Sequence, residues 1–232
     1  MKKSFKFLGI LSFVLAGILI ILLLLKPFKG TKLSLDYETD SIYENILAGT
    51  LPYCNSKSLE ENIFEGEIDP EKEKYFVIDL KKTLTEETLI FQINEHKIDN
   101  FYSDYGKSIK NFIADVKKLK VKGYNCSIYF VGRADSTGQK NFKRTLTEPL
   151  KLKIHKSINN DKFKFSSEFT EITIPDTFYN NHLPELRSWF LKQQVENNLD
   201  FEIKTEILEG KVENQSNAMF RNSTIILYIE KP

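Results

Sequence analysis

Cysteine, histidine, glycine and proline are all scarce in this chain of 232 residues, and each shortage excludes a class of protein. Two cysteines are too few for a small disulfide-rich fold or for a four-cysteine zinc site. Three histidines, at positions 96, 155 and 182, leave little material for a histidine-rich metal centre. Ten glycines and seven prolines exclude collagen-like and low-complexity architectures. We expect neither a metal nor a cofactor.

An excess of charge of one sign is also lacking, because 33 basic side chains face 32 acidic ones. The charges are unevenly distributed along the chain, since six lysines and no acidic residue lie in the first 32 positions. The rest of the chain is mildly acidic and offers no basic stripe for a phosphate backbone, so nucleic-acid binding is disfavoured. Apolar residues, at 41%, are ample for a packed core.

One long apolar run is present, from Phe7 to Leu25, and it contains no charged residue. As a helix it would be about 28 Å long, close to the roughly 30 Å thickness of the hydrocarbon layer. A cleaved secretory signal is the alternative, although the run exceeds the usual apolar core of about 7–15 residues. We predict a cytoplasmic stub and transmembrane anchor over residues 1–30, with the span at 7–25 and the remaining chain outside the inner membrane.

After the anchor, the pattern predicts a polar linker over residues 31–72 and one periplasmic domain over residues 73–232. Strands are predicted where β-branched and aromatic residues cluster, and helices where apolar residues recur at helical spacing. The predicted strands are 75–80, 88–93, 126–131, 201–208 and 223–230, and the predicted helices are about 105–120 and 183–196. This order indicates the α+β class, as an α/β sandwich with helices on one face of a mixed sheet.

Between the central strand and the second helix, the sequence alternates between apolar and polar residues on both sides of a turn at Asn159–Asp161. Such alternation around turn residues is typical of a β-hairpin. We place this hairpin at about residues 150–174, within an insertion that covers about residues 142–178.

Two segments carry a resemblance to a known family. Residues 132–138 read GRADSTG after the central strand, and residues 179–187 read YNNHLPELR at the start of the second helix. They resemble the G-H-T-D-x-x-G loop and the Y-N-x-x-L-S-x-x-R segment of OmpA-like domains, the family of the outer-membrane protein A and MotB C-terminal domains and of the peptidoglycan-associated lipoprotein. The resemblance covers about residues 75–231, with Arg133 and Ala134 replacing the usual His and Thr.

The resemblance implies a noncatalytic binding site for the stem peptide of peptidoglycan, often at meso-diaminopimelate. Asp135 would accept hydrogen bonds from the ligand's ammonium group, and Arg187 would present a planar fork to its carboxylate. Asn180 would orient the ligand. The alternative is that Asp135 caps its own turn and Arg187 is a solvated helix charge. A second alignment places Leu146–Glu148 in the helix-start motif, but the alternation that follows it favours Arg187.

We therefore expect a single-pass envelope protein that tethers a membrane complex to the cell wall. An envelope scaffold, or a stator or secretion-complex subunit that lost peptidoglycan binding, is the alternative. An enzyme is not expected, because no nucleophile or acid–base arrangement is evident. Cys54 and Cys126 lie in the exported part and form a candidate disulfide, while a free, buried Cys126 is the alternative.

Overall fold

The structure, a computed structural model, describes residues 53–55, 74–137, 144–155, 158–159, 164–165 and 169–230. The predicted membrane span and most of the predicted linker lie outside these residues. No helix within the described part of the chain is long and apolar enough to cross a membrane.

Twelve strands and two α-helices are described, together with two short 3₁₀ helices. The strands are β1 (Tyr53–Asn55), β2 (Lys74–Asp79), β3 (Asn125–Ala134), β4 (Arg144–Thr145), β5 (Leu150–His155), β6 (Ile158–Asn159), β7 (Lys164–Phe165), β8 (Phe169–Ile174), β9 (Thr177–Phe178), β10 (Lys204–Leu208), β11 (Lys211–Val212) and β12 (Ser223–Glu230). The helices are α1 (Phe101–Val121) and α2 (Leu183–Glu196), with 3₁₀ helices η1 (Asn180–His182) and η2 (Ala218–Phe220). The predicted combination of a mixed sheet with two helices is confirmed.

The main sheet follows the strand order β1-β2-β12-β3-β10-β5-β8, and β11 pairs with the end of β3. The last strand, β12, lies between β2 and β3 and is antiparallel to both. On its other side β3 pairs with β10 in parallel. Because β3 is a central strand, whatever follows its carboxyl end is surrounded by neighbouring strands and their loops.

Both α-helices pack on the same face of this sheet, as the sequence predicts. The apolar stripe of α1 and the apolar side of α2 belong to one buried cluster, which also contains Ile128 and Phe130 of β3. Each fully buried side chain of this size stabilises the fold by about 1.5–3 kcal/mol. The opposite face of the sheet is also apolar and buried, at Tyr129 and Val131 among others.

The predicted hairpin is confirmed, since β5 and β8 pair antiparallel from Leu150↔Ile174 to His155↔Phe169. It also continues the main sheet, because β5 pairs in parallel with β10. Its inward residues, which include Leu152 and Ile174, share a buried cluster with Leu183 and Leu186 of α2. The hairpin is therefore a structural part of the domain, with a face that packs beneath α2.

The predicted strand over residues 88–93 is wrong. Only an isolated bridge between Thr88 and Lys81 occurs there. Leu89 and Phe91 are buried, which explains the strand-like alternation, but the main-chain N–H of Phe91 donates to the carbonyl of Arg221 rather than to a strand. The segment is a loop that packs against the end of the sheet.

Candidate functional site

Asp135 directly follows β3 and lies at the carboxyl end of this central strand. The residue is only 4% exposed. Its Oδ2 accepts a hydrogen bond from the hydroxyl of Thr137 and lies 3.7 Å from Nε of Arg221. Because a buried carboxylate is costly without partners, these contacts are what allow Asp135 to remain inside the fold.

Asn180 comes to Asp135 from the start of the second helix. It belongs to η1, which leads into α2, and its Nδ2 donates to the main-chain carbonyl of Asp135 at 3.1 Å. The two residues are 45 positions apart in the sequence. The long insertion therefore leaves the loop after β3 and the start of α2 in direct contact.

Arg187, on the second turn of α2, is fully buried at 1% exposure. Its guanidinium donates to three main-chain carbonyls: Nε to Glu95 at 2.9 Å, Nη1 to Arg133 at 2.6 Å and Nη2 to Gln92 at 3.3 Å. It also lies over the ring of Phe91, 5.1 Å from the ring centroid. The group joins α2, β3 and the loop over residues 88–100.

The charge state of Arg187 follows from this burial. Desolvation, together with the neighbouring Arg221, lowers its pKa to about 10, while Asp135 and Glu95 oppose the change. A pKa of about 10 leaves the guanidinium charged at neutral pH. The structure thus brings Arg187 close to Asp135 and Asn180, but its described donors are directed at the protein backbone.

Arg221, which lies just before β12, is the site residue that the motif comparison missed. The chain contains only four arginines, at positions 133, 144, 187 and 221, against many lysines. Three of the four guanidinium groups meet around this site, and the fourth residue, Arg133, contributes its carbonyl. The scarcity of arginine was the available signal, because arginine suits planar, hydrogen-bonded ion pairs better than lysine does.

A second ion pair adjoins Arg187 on the 88–100 loop. Arg144 of β4 contacts Glu95, with Nη2 2.6 Å from Oε1, and both side chains are more than a third exposed. The neighbouring His96 packs edge-on against Phe178. Burial, and then the positive charges of Lys97, Arg187 and Arg144, lower the pKa of His96 from 6.5 to about 4. This pKa reflects the burial of the imidazole first and the neighbouring positive charges second.

Several buried polar atoms at this end of the sheet have no hydrogen-bond partner within the described residues. They are Nε2 of His96, Oγ of Ser188, Nε of Arg221, Oδ1 of Asn222 and Oγ of Ser223. Native proteins leave few such atoms unpaired, because each costs free energy. Three of the five belong to consecutive residues 221–223, beside Asp135.

Two glycines allow the start of α2 to approach the sheet so closely. A Cβ atom at Gly132 would lie 1.8 Å from the carbonyl oxygen of Pro184, and one at Gly210 would lie 2.3 Å from Pro184 Cβ. Oε1 of Glu185 accepts a hydrogen bond from the N–H of Gly210 at 3.2 Å. This contact fixes the distance between α2 and the sheet, and it therefore places Asn180 and Arg187 next to the end of β3.

The candidate disulfide between Cys54 and Cys126 is not formed. Cys54 lies on β1 and Cys126 on β3, with β2 and β12 between them. Three interstrand spacings separate these strands by about 14 Å. A disulfide spans at most about 7 Å between Cα atoms, so the fold does not allow this bond. Burial raises the pKa of the Cys126 thiol to about 11.

Other candidate sites are weaker. A shallow cleft of about 820 Å³ lies where β3 and β10 begin, at the opposite end from Asp135, and its lining includes Lys120, Cys126 and Phe201. Across the described ranges, no group of three His, Cys, Asp or Glu side chains is arranged to hold a metal ion.

Neither a protein-family model, nor a curated protein, nor a solved structure matches the chain. The site must therefore be interpreted from its own chemistry. It combines a buried carboxylate, a carboxamide and two nearby guanidinium groups at one end of the sheet, an arrangement suited to holding a charged ligand by hydrogen bonds.

Proposed function

We propose that this protein is anchored in the inner membrane and binds peptidoglycan without catalysis, through a divergent OmpA-like domain at the end of β3. The observation that carries the proposal is the meeting of Asp135, Asn180 and Arg187, which the family resemblance assigns to one site. These residues lie on two elements far apart in sequence, and the hydrogen bond from Asn180 to Asp135 joins them.

The fold supports the same proposal. The family resemblance requires a mixed sheet with helices on one face, and the described residues have both features. The apolar run from Phe7 to Leu25 would supply the anchor, and the domain would lie on the periplasmic side. Binding needs only opposite charges and hydrogen-bond donors, so the proposal includes no catalytic residue, metal or cofactor.

The test is sedimentation of the full-length chain, in mild detergent, with purified peptidoglycan sacculi. Asp135→Asn removes the negative charge but keeps the size, and it should weaken binding about ten- to a hundredfold because a charged hydrogen bond is lost. Asp200→Asn is the matched control, since Asp200 is an exposed surface residue paired with Lys117. Equal binding by both variants would place the ligand elsewhere.

A scaffold that kept the fold but lost peptidoglycan binding is the second candidate. The observation in its favour is that Asp135 is paired with Arg221 and that Arg187 is directed at main-chain carbonyls, so the site is partly filled by the chain itself. The hairpin would then supply the docking surface, through exposed residues such as Lys153 and Glu171. Wild-type protein that fails to sediment with sacculi would favour this candidate.

A further inference from the structure

The site holds more positive than negative charge at its buried end. Arg187 and Arg221 both lie close enough to Asp135 to interact with it, and Arg221 disfavours the charge of Arg187. Glu95 also acts on Arg187 and is paired with Arg144, so two carboxylates serve three guanidinium groups. An uncompensated charge in a protein interior is costly, so the arrangement favours the entry of a further anion.

The two arginines differ in how fully their donors are used. Arg187 is 1% exposed and donates to three main-chain carbonyls. The Arg221 side chain is 14% exposed, and its Nε is 3.7 Å from the Asp135 carboxylate, which is too long for a hydrogen bond. That Nε has no hydrogen-bond partner among the residues described. Arg221 is thus the guanidinium with capacity for a ligand.

The surroundings of Arg221 point the same way. Its main chain is fixed, because its N–H donates to Ala218 at 2.9 Å and its carbonyl accepts from Phe91 at 2.6 Å. Next to it, Oδ1 of Asn222 and Oγ of Ser223 are buried without a hydrogen-bond partner in the described chain, and Ser223 is 5% exposed. The fixed backbone, the underused side chain and the unpaired polar atoms together offer hydrogen-bonding capacity to a polar ligand.

We infer that Arg221, rather than Arg187, binds the anionic group of the ligand, and that this group is a carboxylate. In the free protein, Asp135 is paired with Arg221. When the ligand binds, its carboxylate pairs with Arg221 and its ammonium group pairs with Asp135. Arg187 is a positioning residue that fixes the loop and β3. The inference rests on the proposed function for its choice of a zwitterionic wall ligand, and it assigns the contacts within that site.

Three small probes separate the two contacts. Diaminopimelate carries both groups, pimelate carries only carboxylates and cadaverine carries only ammonium groups. Binding to the full-length chain in mild detergent would be measured by isothermal titration calorimetry. Arg221→Gln should weaken diaminopimelate and pimelate about tenfold or more, because a charged hydrogen bond is lost. It should leave cadaverine binding at least as strong, which also shows that the variant is folded.

Lys117→Gln is the matched control, since Lys117 is also an ion-paired cation but contacts the exposed Asp200 instead of Asp135. It should bind all three probes as the wild type does. Arg221→Lys keeps the charge without the planar fork and should recover part of the pimelate affinity. Asp135→Asn should show the opposite pattern, with cadaverine weakened most.

The outcomes separate this inference from the proposed function. Sacculus binding by the wild type, with Arg221→Gln unaffected for diaminopimelate and pimelate, would overturn the inference and leave wall binding standing. Pimelate binding that depends on Arg221, in a protein that does not sediment with sacculi, would support the carboxylate site and overturn wall binding. Absence of binding to all three probes would overturn the inference.

Discussion

A guanidinium group can donate hydrogen bonds to a ligand or to the chain's own backbone, and Arg187 donates to the backbone. Three carbonyls from two different segments depend on it, Gln92 and Glu95 in one loop and Arg133 on β3. A sequence motif identifies the position of an arginine but not the direction of its donors. The same limit explains why the sequence does not predict Arg221 as a site residue. No local pattern links Arg221 to Asp135, and the scarcity of arginine in the chain is the one signal that draws attention to it.

Replacement of Arg187 should therefore first lower the free energy of unfolding. Arg187→Met would leave the three main-chain carbonyls without this donor, and an unsatisfied buried acceptor costs about 1–3 kcal/mol. Arg144→Met removes an arginine from an exposed ion pair and should cost about 1 kcal/mol or less. Urea denaturation of the two variants checks this, and equal stability would show that Arg187 does not hold the loop.

His96 gives the site a dependence on pH. Its folded-state pKa of about 4 lies below the unfolded value of 6.5, so the unfolded chain binds the proton first as the pH falls. The contribution of His96 to stability is present above pH 6.5 and is lost as the pH falls from about 6.5 towards about 4. His96→Gln should flatten the stability curve over this range, and an NMR titration should find the His96 signal unchanged at pH 5.5. Titration of His96 near 6.5 would contradict the described environment.

At the scale of elements, the sequence predicts those that have strong local patterns. The bounds of α2 agree with the prediction at residues 183–196, and β12 agrees at 223–230. The 88–93 segment fails because alternation reports burial on one side but not the hydrogen-bond partner. The same local alternation predicts the hairpin. It does not predict that β5 of the hairpin pairs in parallel with β10, because β10 lies about fifty residues later in the sequence.

The closeness of α2 to β3 depends on Gly132, and this can be tested by adding one methyl group. Gly132→Ala would bring the new Cβ to 1.8 Å from a backbone carbonyl at Pro184, so the helix must shift. We expect a loss of about 1–3 kcal/mol in the free energy of unfolding, as for other overpacked sites. The shift should also weaken ligand binding, since it moves Asn180 and Arg187 relative to Asp135.

Gly106→Ala is the control of opposite sign. Gly106 lies inside α1, and its Cβ would meet Tyr102 at an ordinary contact distance of 3.5 Å. Alanine is favoured over glycine in a helix interior, by up to about 1 kcal/mol. Thermal unfolding should therefore show Gly106→Ala as more stable than the wild type and Gly132→Ala as less stable. The reverse order would contradict the packing of α2 on the sheet.

At the scale of the whole molecule, the sequence contains a long apolar run and, after it, a folded domain. The mixed sheet with two helices on one face is observed in the described residues. The anchor rests on the uncharged run from Phe7 to Leu25 and on the thickness of a bilayer. The hairpin shares its core with α2, so deletion of the hairpin would damage the domain, and its role in docking is better tested through exposed residues such as Lys153.

The most direct measurement of the central claim compares two preparations of sacculi, one intact and one treated with an amidase that removes the stem peptides from the glycan. The full-length protein, in mild detergent, is sedimented with each. The account predicts binding to intact sacculi and its loss, by about tenfold or more, after the peptides are removed, because the proposed ligand of Asp135 and its neighbours is a charged group of the stem peptide. Equal binding to both preparations, or no binding to intact sacculi, would contradict it.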